Sequence, residues 1–267
     1  MVAHHNPMRF INNPLIGNNS IIDAKFATKI EKSCTEKCSA IFVPFNYMKE
    51  EMRRSHNVID QCYVIPNYLD EKFINSIKLL RHKSVSDDEY LIFIPSAGSD
   101  LKGERYILSI ILWISKSVSN RKVVFLLSGK LSKKLDYELS HLTNIKVLSL
   151  RQQEYSQNIA YLKSCDLCIS PTLLESFGMA ILESLVSGVA VVTFNVGGNE
   201  DLIDNGRNGY LVDYLNIAEL CEKAVSIIQA SLDRALIISS TKEKYSLPKI
   251  EEKIGFYLKK ISEQNNG

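Results

Sequence analysis

The sequence predicts an α/β fold in which a parallel sheet is covered by helices on both faces. Short apolar runs alternate with longer segments that carry an apolar residue every three or four positions. This alternation is typical of a doubly wound parallel sheet. The chain has 267 residues, of which 45% are hydrophobic, and that suffices for one complete domain and part of a second.

The first part of the chain alternates helix and strand patterns twice. We expect a helix from Ile21 to Cys34, a strand from Ala40 to Pro44, a helix from Tyr47 to Ser55 and a strand from Cys62 to Ile65. Residues 81–89 are polar and rich in charge, which is typical of a surface connection. A second block of structure is therefore expected to begin after this stretch.

The second block alternates strands and helices over most of the remaining chain. Its expected strands are Tyr90–Pro95, Lys122–Ser128, Ile145–Leu148, Leu167–Ser170 and Ala190–Phe194. Its expected helices are Glu104–Ser117, Leu131–His141, Glu154–Ser164, one that begins near Ser176, and Ile217–Ser231. A last amphipathic helix is expected from Lys249 to Ile261.

Composition excludes several function classes. The formal net charge is +2 and the pI is about 8.1, so no broad basic field points to nucleic acid. No run of 18 apolar residues, the length that indicates a membrane-spanning helix, occurs in the sequence. The first residues do not have the pattern of a secretory signal. We expect a cytoplasmic protein, and peripheral contact with the inner face of a membrane stays open.

Six cysteines invite a metal interpretation. The pairs Cys34 with Cys38 and Cys165 with Cys168 have spacings that zinc sites use, but no histidine accompanies either pair. Cys168 also lies inside an apolar strand pattern. We therefore expect buried free thiols and no metal site.

Two glutamates eight residues apart flank the start of a predicted helix. A buried strand ends at Ser170, Pro171 interrupts it, and the helix is expected to begin near Ser176, just after Glu175. The first amides of a helix have no partner inside it and carry partial positive charge, so this end attracts phosphate. Gly178 has no side chain to block a close approach.

The second glutamate, Glu183, is expected on the polar side of this helix. At 100° per residue the apolar face comprises Gly178, Met179, Ile181, Leu182, Leu185 and Val186, and the other face comprises Ala180, Glu183, Ser184 and Ser187. A carboxylate in that position can accept two hydrogen bonds from ribose hydroxyls. The ordinary alternative is a solvated glutamate on an exposed face.

These residues, taken with others in order along the chain, resemble a known family. Glu175 to Glu183 resembles the Glu-x7-Glu element of the retaining glycosyltransferases of family 4, also called group 1, which have the GT-B fold. The lead-in 170–172, the turn 197–201 and the loop 99–103 resemble further elements of the same family. Each piece is weak alone, but their joint order and spacing are specific.

The resemblance implies a division of the chain into domains. Residues 76–245 are expected to form one complete Rossmann-like C-terminal domain that binds the nucleotide-sugar. Residues 1–75 are expected to form a partial Rossmann-like N-terminal domain on the acceptor side, and residues 246–267 a C-terminal crossover helix and tail. Family members usually have more strands before the position of residue 1, so a truncated N-terminal domain is expected.

The resemblance also implies an activity and roles for particular residues. The expected reaction moves a sugar from a nucleotide diphosphate-sugar to an acceptor hydroxyl with retention of configuration, and it requires no metal or other cofactor. Lys102, Glu175 and His5 are the expected catalytic residues. The expected donor-binding residues are Gly98, Gly129, Arg151, Ser176, Phe177, Gly178, Met179 and Glu183. Alternatives are an ordinary exposed lysine at Lys102 and a solvated, frayed chain end at His5.

One departure from the family concerns the diphosphate site. Many members carry an arginine five or six residues before the loop lysine, where this chain has Ala97 and Ser96. Arg105 or Lys130 is a candidate to compensate.

Two further functions stay open at this point. One is a non-catalytic nucleotide-sugar-binding partner, or one half of a two-chain enzyme in which a partner chain supplies the missing N-terminal strands. A sugar-nucleotide epimerase on the same fold would need acid and base residues that the sequence does not reveal. The expected acceptor is a glycan or a lipid-linked glycan, which is an expectation from the family alone.

Overall fold

The computed structural model describes residues 29–30, 32–56, 61–80, 82, 85–86, 88–118, 122–151 and 153–265. The chain divides into two compact units, one of residues 69–244 and one of residues 1–68 with 245–267. Residues 29–30 and 32–35 are helical, whereas most of the helix expected from Ile21 to Cys34 lies outside the described residues.

The unit of residues 69–244 is built on a six-stranded parallel sheet. The strands are β3 (Tyr90–Ile94), β4 (Val123–Ser128), β5 (Lys146–Arg151), β6 (Leu167–Ser170), β7 (Ala190–Phe194) and β8 (Gly209–Val212). Their order across the sheet is β5-β4-β3-β6-β7-β8, and every neighbouring pair is parallel. The α/β class expected from the alternating pattern is confirmed.

Helices precede, connect and follow these strands. They are α2 (Glu71–Ser76), α3 (Glu104–Ser117), α4 (Lys133–Ser140), α5 (Tyr155–Lys163), α6 (Met179–Val186), α7 (Asn199–Leu202), α8 (Ile217–Ala230) and α9 (Arg234–Tyr245). A single 3-10 turn, Asp100–Lys102, precedes α3. The described residues include no helix that is both long and apolar enough to cross a membrane.

Burial along the strands follows from their positions in the sheet. All six residues of β4 are buried, as are four of the five in β3, because helices cover both faces of a central parallel strand. The edge strand β5 has one buried residue, Leu150. The long apolar runs of the sequence therefore form central strands here, whereas β5, which mixes polar and apolar residues, forms an edge strand.

Helix α3 shows how the sequence pattern becomes packing. Ile107, Ile110, Ile111 and Ile114 are fully buried, and their spacing places them on one stripe of the helix. Each buried isoleucine side chain contributes about 1.5 to 3 kcal/mol relative to exposure. This stripe holds the helix that follows the Lys102 turn against the sheet.

The other unit contains a small parallel sheet. Strands β1 (Ile41–Val43) and β2 (Cys62–Val64) pair in parallel, and α1 (Asn46–His56) connects them. Their core contains Ile41, Val43, Met48, Met52 and Cys62. Helix α10 (Leu247–Asn265) belongs to this unit, where its Tyr257 ring lies 4.9 Å from the ring of Tyr63.

The strand order places a crevice at a defined point. After β3 the chain adds β4 and β5 on one side, and it then returns to add β6, β7 and β8 on the other. The loops that follow β3 and β6 therefore leave the sheet in opposite directions from adjacent strands. Ligands of open α/β sheets bind at such a switch point, beyond the carboxyl ends of the strands.

Candidate functional site

The loops after β3 and β6 contact each other directly at the switch point. The carbonyl of Leu101 accepts hydrogen bonds from the amides of Leu173 at 2.9 Å and Leu174 at 3.3 Å. The hydroxyl of Thr172, which is fully buried, lies 3.1 Å from the Leu174 carbonyl and 3.4 Å from the Leu101 carbonyl. These bonds fix the loop that carries Lys102 against the loop that carries Glu175.

Gly103 makes this close contact between the loops sterically feasible. It caps the turn Asp100–Lys102 with φ of +82°, a conformation that favours glycine. A Cβ atom on Gly103 would lie 2.0 Å from the carbonyl oxygen of Pro171. Only a residue without a side chain lets the two backbones approach this closely.

Lys102 and Glu175 form an ion pair across the crevice. Lys102 Nζ lies 2.5 Å from Glu175 Oε2, and the two side chains are 33% and 13% exposed. The other carboxylate oxygen, Oε1, accepts a hydrogen bond from the Ser176 amide at 3.1 Å. A lysine ammonium and a glutamate carboxylate therefore meet where the sheet reverses its order.

The helix after Glu175 starts later than the sequence indicates. Helix α6 begins at Met179, with Gly178 as its N-cap at φ of +81°, whereas a start near Ser176 was expected. That expectation is wrong because residues 171–178 form a loop, in which the Leu173 and Leu174 amides donate to the Leu101 carbonyl. The first-turn amides of α6 still face the carboxyl edge of the sheet, where they favour an anion.

The burial around α6 also differs from the expected two-faced pattern. Ile181, Leu182, Leu185 and Val186 are buried as expected, but Met179 is 36% exposed. Ser184 and Ser187, expected on the polar face, are buried. The Ser184 hydroxyl donates to the carbonyl of Ala180 at 2.8 Å, so its burial leaves that polar group satisfied.

Glu183 is half-buried and does not project freely into solvent. The side chain of Tyr155, the first residue of α5, lies beside its carboxylate. Burial raises the pKa of Glu183 to about 7, and the Tyr155 hydroxyl partly opposes this shift. Burial and the nearby carboxylate also raise the pKa of Tyr155, so near neutral pH the tyrosine keeps its proton.

The raised pKa of Glu183 predicts a pH-dependent cost in stability. Because the folded pKa lies above the ordinary 4.5, the folded chain binds this proton more tightly than the unfolded chain between about pH 4.5 and 7. The favourable contribution is complete below pH 4.5 and is lost as the pH rises through 7. Glu183→Gln is therefore expected to stabilise the ligand-free chain at pH 8, by at most roughly 3 kcal/mol, and to change little at pH 4.5.

Urea denaturation of both proteins at pH 4.5 and pH 8 measures this difference. Glu222→Gln, on the exposed side of α8, serves as the matched control and should show no pH-dependent gain. An equal effect of Glu183→Gln on the free energy of unfolding at the two pH values would contradict the raised pKa of Glu183.

The remaining loops at this edge are joined through backbone atoms. The Ala97 amide donates to the Ser128 carbonyl at 2.7 Å, and the Gly129 amide donates to the Arg151 carbonyl at 3.0 Å. A Cβ atom on Gly98 would lie 1.5 Å from the carbonyl oxygen of Lys130. The loops after β3, β4 and β5 therefore form a continuous, closely packed rim.

Two residues of this rim have unusual backbone conformations. Ser96 and Arg151 have φ of +51° and +53°, a region that non-glycine residues rarely occupy. Arg151 is exposed at the end of β5. Strain of this kind persists where surrounding structure enforces it, and it clusters at functional sites.

The structure brings most of the expected site residues to one edge of the sheet. Lys102, Gly98, Gly129 and Arg151 lie on the loops or strand ends that follow β3, β4 and β5, while the segment from Glu175 to Met179 lies between β6 and α6. Phe177 is buried and Ser176 is partly buried. His5 lies outside the described residues, so its expected role stays a prediction.

The residues considered as substitutes for the missing arginine differ in their surroundings. Arg105 Nη2 lies 3.7 Å from Asp100 Oδ1, and both side chains are substantially exposed. Lys130 is exposed beside Gly98 on the rim. Of the two, Lys130 lies on a loop that follows a strand, whereas Arg105 lies within α3.

The cysteines do not form a cluster of metal ligands within the described part of the chain. Cys62, Cys165, Cys168 and Cys221 are buried, and Cys34 and Cys38 are partly buried. Burial raises the pKa of Cys168 to about 12, so this side chain is a neutral thiol near pH 7. Across residues 29–265, where described, no three histidine, cysteine or acidic side chains group as metal ligands.

Sequence reasoning assigned no role to two residues beside α6, Tyr155 and Asn199, although Asn199 lies in the turn 197–201. Tyr155 contacts Glu183 because α5, which connects β5 to β6, packs beside α6. Asn199 is fully buried and donates to Thr193 Oγ1 at 3.0 Å and to the Phe194 carbonyl at 3.1 Å. Its position directly after paired glycines was the available signal, whereas nothing local marked Tyr155.

Comparison with known proteins assigns a family to most of the unit of residues 69–244. Residues 76–244, more than half of the chain, match the family described as Glycosyl transferases group 1. A D-inositol 3-phosphate glycosyltransferase of Paenarthrobacter aurescens is 29% identical over 163 residues, which cover 58% of this chain and 40% of that relative. The matched part therefore spans less than half of the relative's length.

Solved structures share the fold at low identity. Sucrose-phosphate synthase from Thermosynechococcus elongatus has a TM-score of 0.77 at 15% identity, covering 98% of this chain and 67% of that one. Anabaena HepE in complex with UDP and glucose has a TM-score of 0.74 at 16% identity, covering 97% and 71%. These neighbours are GT-B glycosyltransferases, so the expected GT-B type fold is confirmed. Because the family match spans nearly all of the unit that carries Lys102, Glu175 and Glu183, the chain belongs to the glycosyl transferases group 1 family.

Proposed function

We propose that this protein is a retaining glycosyltransferase and that its unit of residues 69–244 binds a nucleotide diphosphate-sugar. The observation that carries the proposal is the ion pair between Lys102 and Glu175, 2.5 Å apart at the switch point of the sheet. A lysine held there supplies positive charge for a diphosphate. Membership of the group 1 family and the UDP and glucose bound in HepE support the same ligand class.

The donor's chemical groups map onto the site in order. Lys102 and the first-turn amides of α6 bind the diphosphate, because both place positive charge at the carboxyl edge. Glu175 accepts hydrogen bonds from the sugar's hydroxyls, since a carboxylate is an acceptor only. Glu183 accepts hydrogen bonds from the ribose, and the strand end at Arg151 lies toward the base.

The reaction breaks one bond and forms another at the same sugar carbon. The bond from the anomeric carbon to the diphosphate oxygen breaks, and a bond to the acceptor hydroxyl oxygen forms on the same face of the sugar. The acceptor's proton passes to an oxygen of the departing diphosphate. Lys102 stabilises the negative charge that grows on this leaving group, and such stabilisation is commonly the largest catalytic contribution.

We propose a glycan or lipid-linked glycan as acceptor. No metal or other cofactor is part of the proposed reaction, since Lys102 and the helix amides supply the positive charge. A lipid-linked acceptor would bring the protein to the inner, cytoplasmic face of a membrane. This part of the proposal rests on the family resemblance.

A panel of donors tests the proposed function. Thermal unfolding of the purified chain is measured with UDP-glucose, UDP-N-acetylglucosamine, GDP-mannose and ADP-glucose. A donor at 100 times its Kd adds about 2.7 kcal/mol of stability, which raises Tm by roughly 5 to 10 °C for a chain of this size. Release of nucleoside diphosphate is then followed with the stabilising donor and with Glu175→Ala.

The outcomes separate an enzyme from a binding partner. Stabilisation with turnover that Glu175→Ala abolishes supports the proposed enzyme. Binding without turnover, restored to turnover by a second protein, would favour a non-catalytic partner or one half of a two-chain enzyme. Absence of stabilisation by every donor in the panel would contradict nucleotide-sugar binding.

A further inference from the structure

A cavity lies at the edge of the large sheet opposite the proposed donor site. Its volume is about 750 Å³, within the range of roughly 300 to 1,000 Å³ that is usual for small-molecule sites. It is lined by residues that precede or begin β3, β4 and β5 and by the end of α3. Since Lys102 and Glu175 lie beyond the carboxyl ends of the strands, this cavity is a separate feature of the unit of residues 69–244.

A buried ion pair gives the cavity a fixed wall. Glu89, which precedes β3, is 7% exposed, and its two oxygens accept hydrogen bonds from Lys146 Nζ at 3.3 and 3.0 Å. The Ser86 amide donates to Oε2 of the same carboxylate at 2.8 Å. Because β4 lies between β3 and β5, the pair joins the two neighbours of β4 across its first residues. The wall is therefore pre-organised, and pre-organisation reduces the cost of binding a ligand.

Neutral side chains make up much of the remaining lining. Thr143 and Asn144 lie in the turn before β5 and are exposed. Ser115, near the end of α3, lines the same cavity, and its Oγ is buried without a hydrogen-bond partner among the described residues. Buried hydroxyls nearly always have a partner in folded proteins, so this one favours a polar occupant. Aliphatic surface is added by Val123 and Ile145.

The charges around the cavity balance. Its lining contains two carboxylates and two ammonium groups, those of Asp88, Glu89, Lys122 and Lys146. Val118, the C-cap of α3, also lines it, so the partial negative charge of a helix C-terminus lies beside this space. An anion would meet that charge and the two carboxylates, whereas a cation would meet the two lysines. A neutral ligand with many hydroxyl groups therefore fits the lining better than a phosphate or an amine.

We propose that this cavity is a second carbohydrate-binding site, which takes a neutral segment of a glycan. The sugar hydroxyls form hydrogen bonds with Thr143, Asn144 and Lys122. The C–H faces of the sugar rings pack on Val123 and Ile145. The choice of a glycan among neutral polyols rests on the proposed function, in which a glycan is the acceptor.

A glycan held at this cavity stays close to the reaction site. Strand β3 has five residues, so the two edges of the sheet lie about 15 Å apart along it. An extended glycan of several sugars spans this distance. Binding at the cavity thus raises the effective concentration of the glycan's free end near the donor, without a contact to the reacting sugar.

The first experiment maps oligosaccharide binding by NMR. The full chain, labelled with ²H and ¹⁵N, is titrated without nucleotide with hexamers of α-1,4-glucose, β-1,4-glucose, β-1,4-N-acetylglucosamine and α-1,6-mannose. We expect at least one hexamer to shift the amide resonances of residues 143–146 and 122–124 in a saturable way. Absence of shifts at these residues with all four hexamers would overturn the inference.

The second experiment removes one polar group from the cavity. Asn144→Ala is expected to bind the hexamer about three- to tenfold more weakly, the usual effect of losing one hydrogen bond. Gln229→Ala, which removes an exposed amide from α8, is the matched control and is expected to bind like the parent. Both side chains are exposed, so both variants are expected to fold. Equal affinities of the two variants would overturn the inference.

The third experiment distinguishes a neutral ligand from an anion. Lys122→Gln removes a charge but keeps a hydrogen-bond donor, so we expect it to change hexamer affinity less than about twofold. The parent's affinity is likewise expected to stay constant between about 0.05 and 0.5 M NaCl, because a neutral ligand is not screened. Inorganic pyrophosphate serves as the anionic probe. If pyrophosphate shifts residues 143–146 and the hexamers do not, the cavity is an anion site and the inference is wrong.

These outcomes are separate from those of the donor panel. Hexamer binding at the cavity in a chain that no nucleotide-sugar stabilises would contradict the proposed function and leave the second carbohydrate site standing. Donor binding together with hexamer shifts confined to the loops of Gly98 and Gly129 would do the reverse. In that case the glycan binds at the carboxyl edge alone, which overturns the inference.

Discussion

Replacing Lys102 with methionine is expected to reduce the rate of sugar transfer by about 100- to 1,000-fold. Methionine keeps much of the side chain's volume but removes the charge that faces Glu175 across the switch point. The departing diphosphate then lacks its nearest cation, so the transition state loses more than the bound donor does. The rate of nucleoside diphosphate release at saturating donor measures this effect as a fall in kcat.

Lys116→Met is the matched control for this prediction. Lys116 is exposed in the last turn of α3, the helix that the Lys102 turn precedes. It therefore lies toward the opposite edge of the sheet from the proposed site. Equal loss of rate in the two variants, or unchanged kcat in Lys102→Met with an intact fold, would contradict the role assigned to Lys102.

Replacing Gly103 with alanine is expected to destabilise the unit of residues 69–244 by more than about 2 kcal/mol, which lowers Tm by roughly 5 °C or more. The new Cβ would lie 2.0 Å from the Pro171 carbonyl oxygen, so one backbone must move. The left-handed conformation adds about 1 to 2 kcal/mol. Because Gly103 follows Lys102 directly, donor affinity is expected to fall as well.

Gly206→Ala separates the cost of the steric clash from the cost of the left-handed conformation. Gly206 has φ of +79°, but the nearest atom to an added Cβ is the Tyr210 hydroxyl at 3.9 Å. It therefore carries the conformational cost without the clash and lies outside the proposed site. Thermal unfolding and donor affinity of the three proteins measure the difference. Similar values for Gly103→Ala and Gly206→Ala would show that the contact with Pro171 does not hold the two loops together.

Several strands of the sheet were predictable because their residues are buried on both faces. The bounds expected for Leu167–Ser170 and Ala190–Phe194 agree with β6 and β7, since a continuous apolar run that ends in a turn signal has few other interpretations. Edge elements were not predictable in this way. Gly209–Val212 has a glycine at its start and is only half buried, so β8 has no strong local pattern.

The site was predictable in part, and the wrong expectations about it have a common cause. The loops that carry Lys102 and Glu175 follow strand ends, so the edge of the sheet on which they lie follows from the α/β pattern. The polar face expected on α6 was wrong because α5, α7 and the sheet surround this helix, whereas the two-faced rule applies to helices with one side in solvent. The same crowding brings Tyr155 to Glu183, which no short-range pattern reveals.

The most direct test of this account is the crystal structure of the chain with UDP, or with whichever nucleoside diphosphate stabilises it most. We expect a diphosphate oxygen within about 3 Å of Lys102 Nζ and the ribose hydroxyls at the Glu183 carboxylate beside Tyr155. A nucleotide bound elsewhere, with Lys102 and Glu175 still paired and no phosphate beside them, would contradict the account.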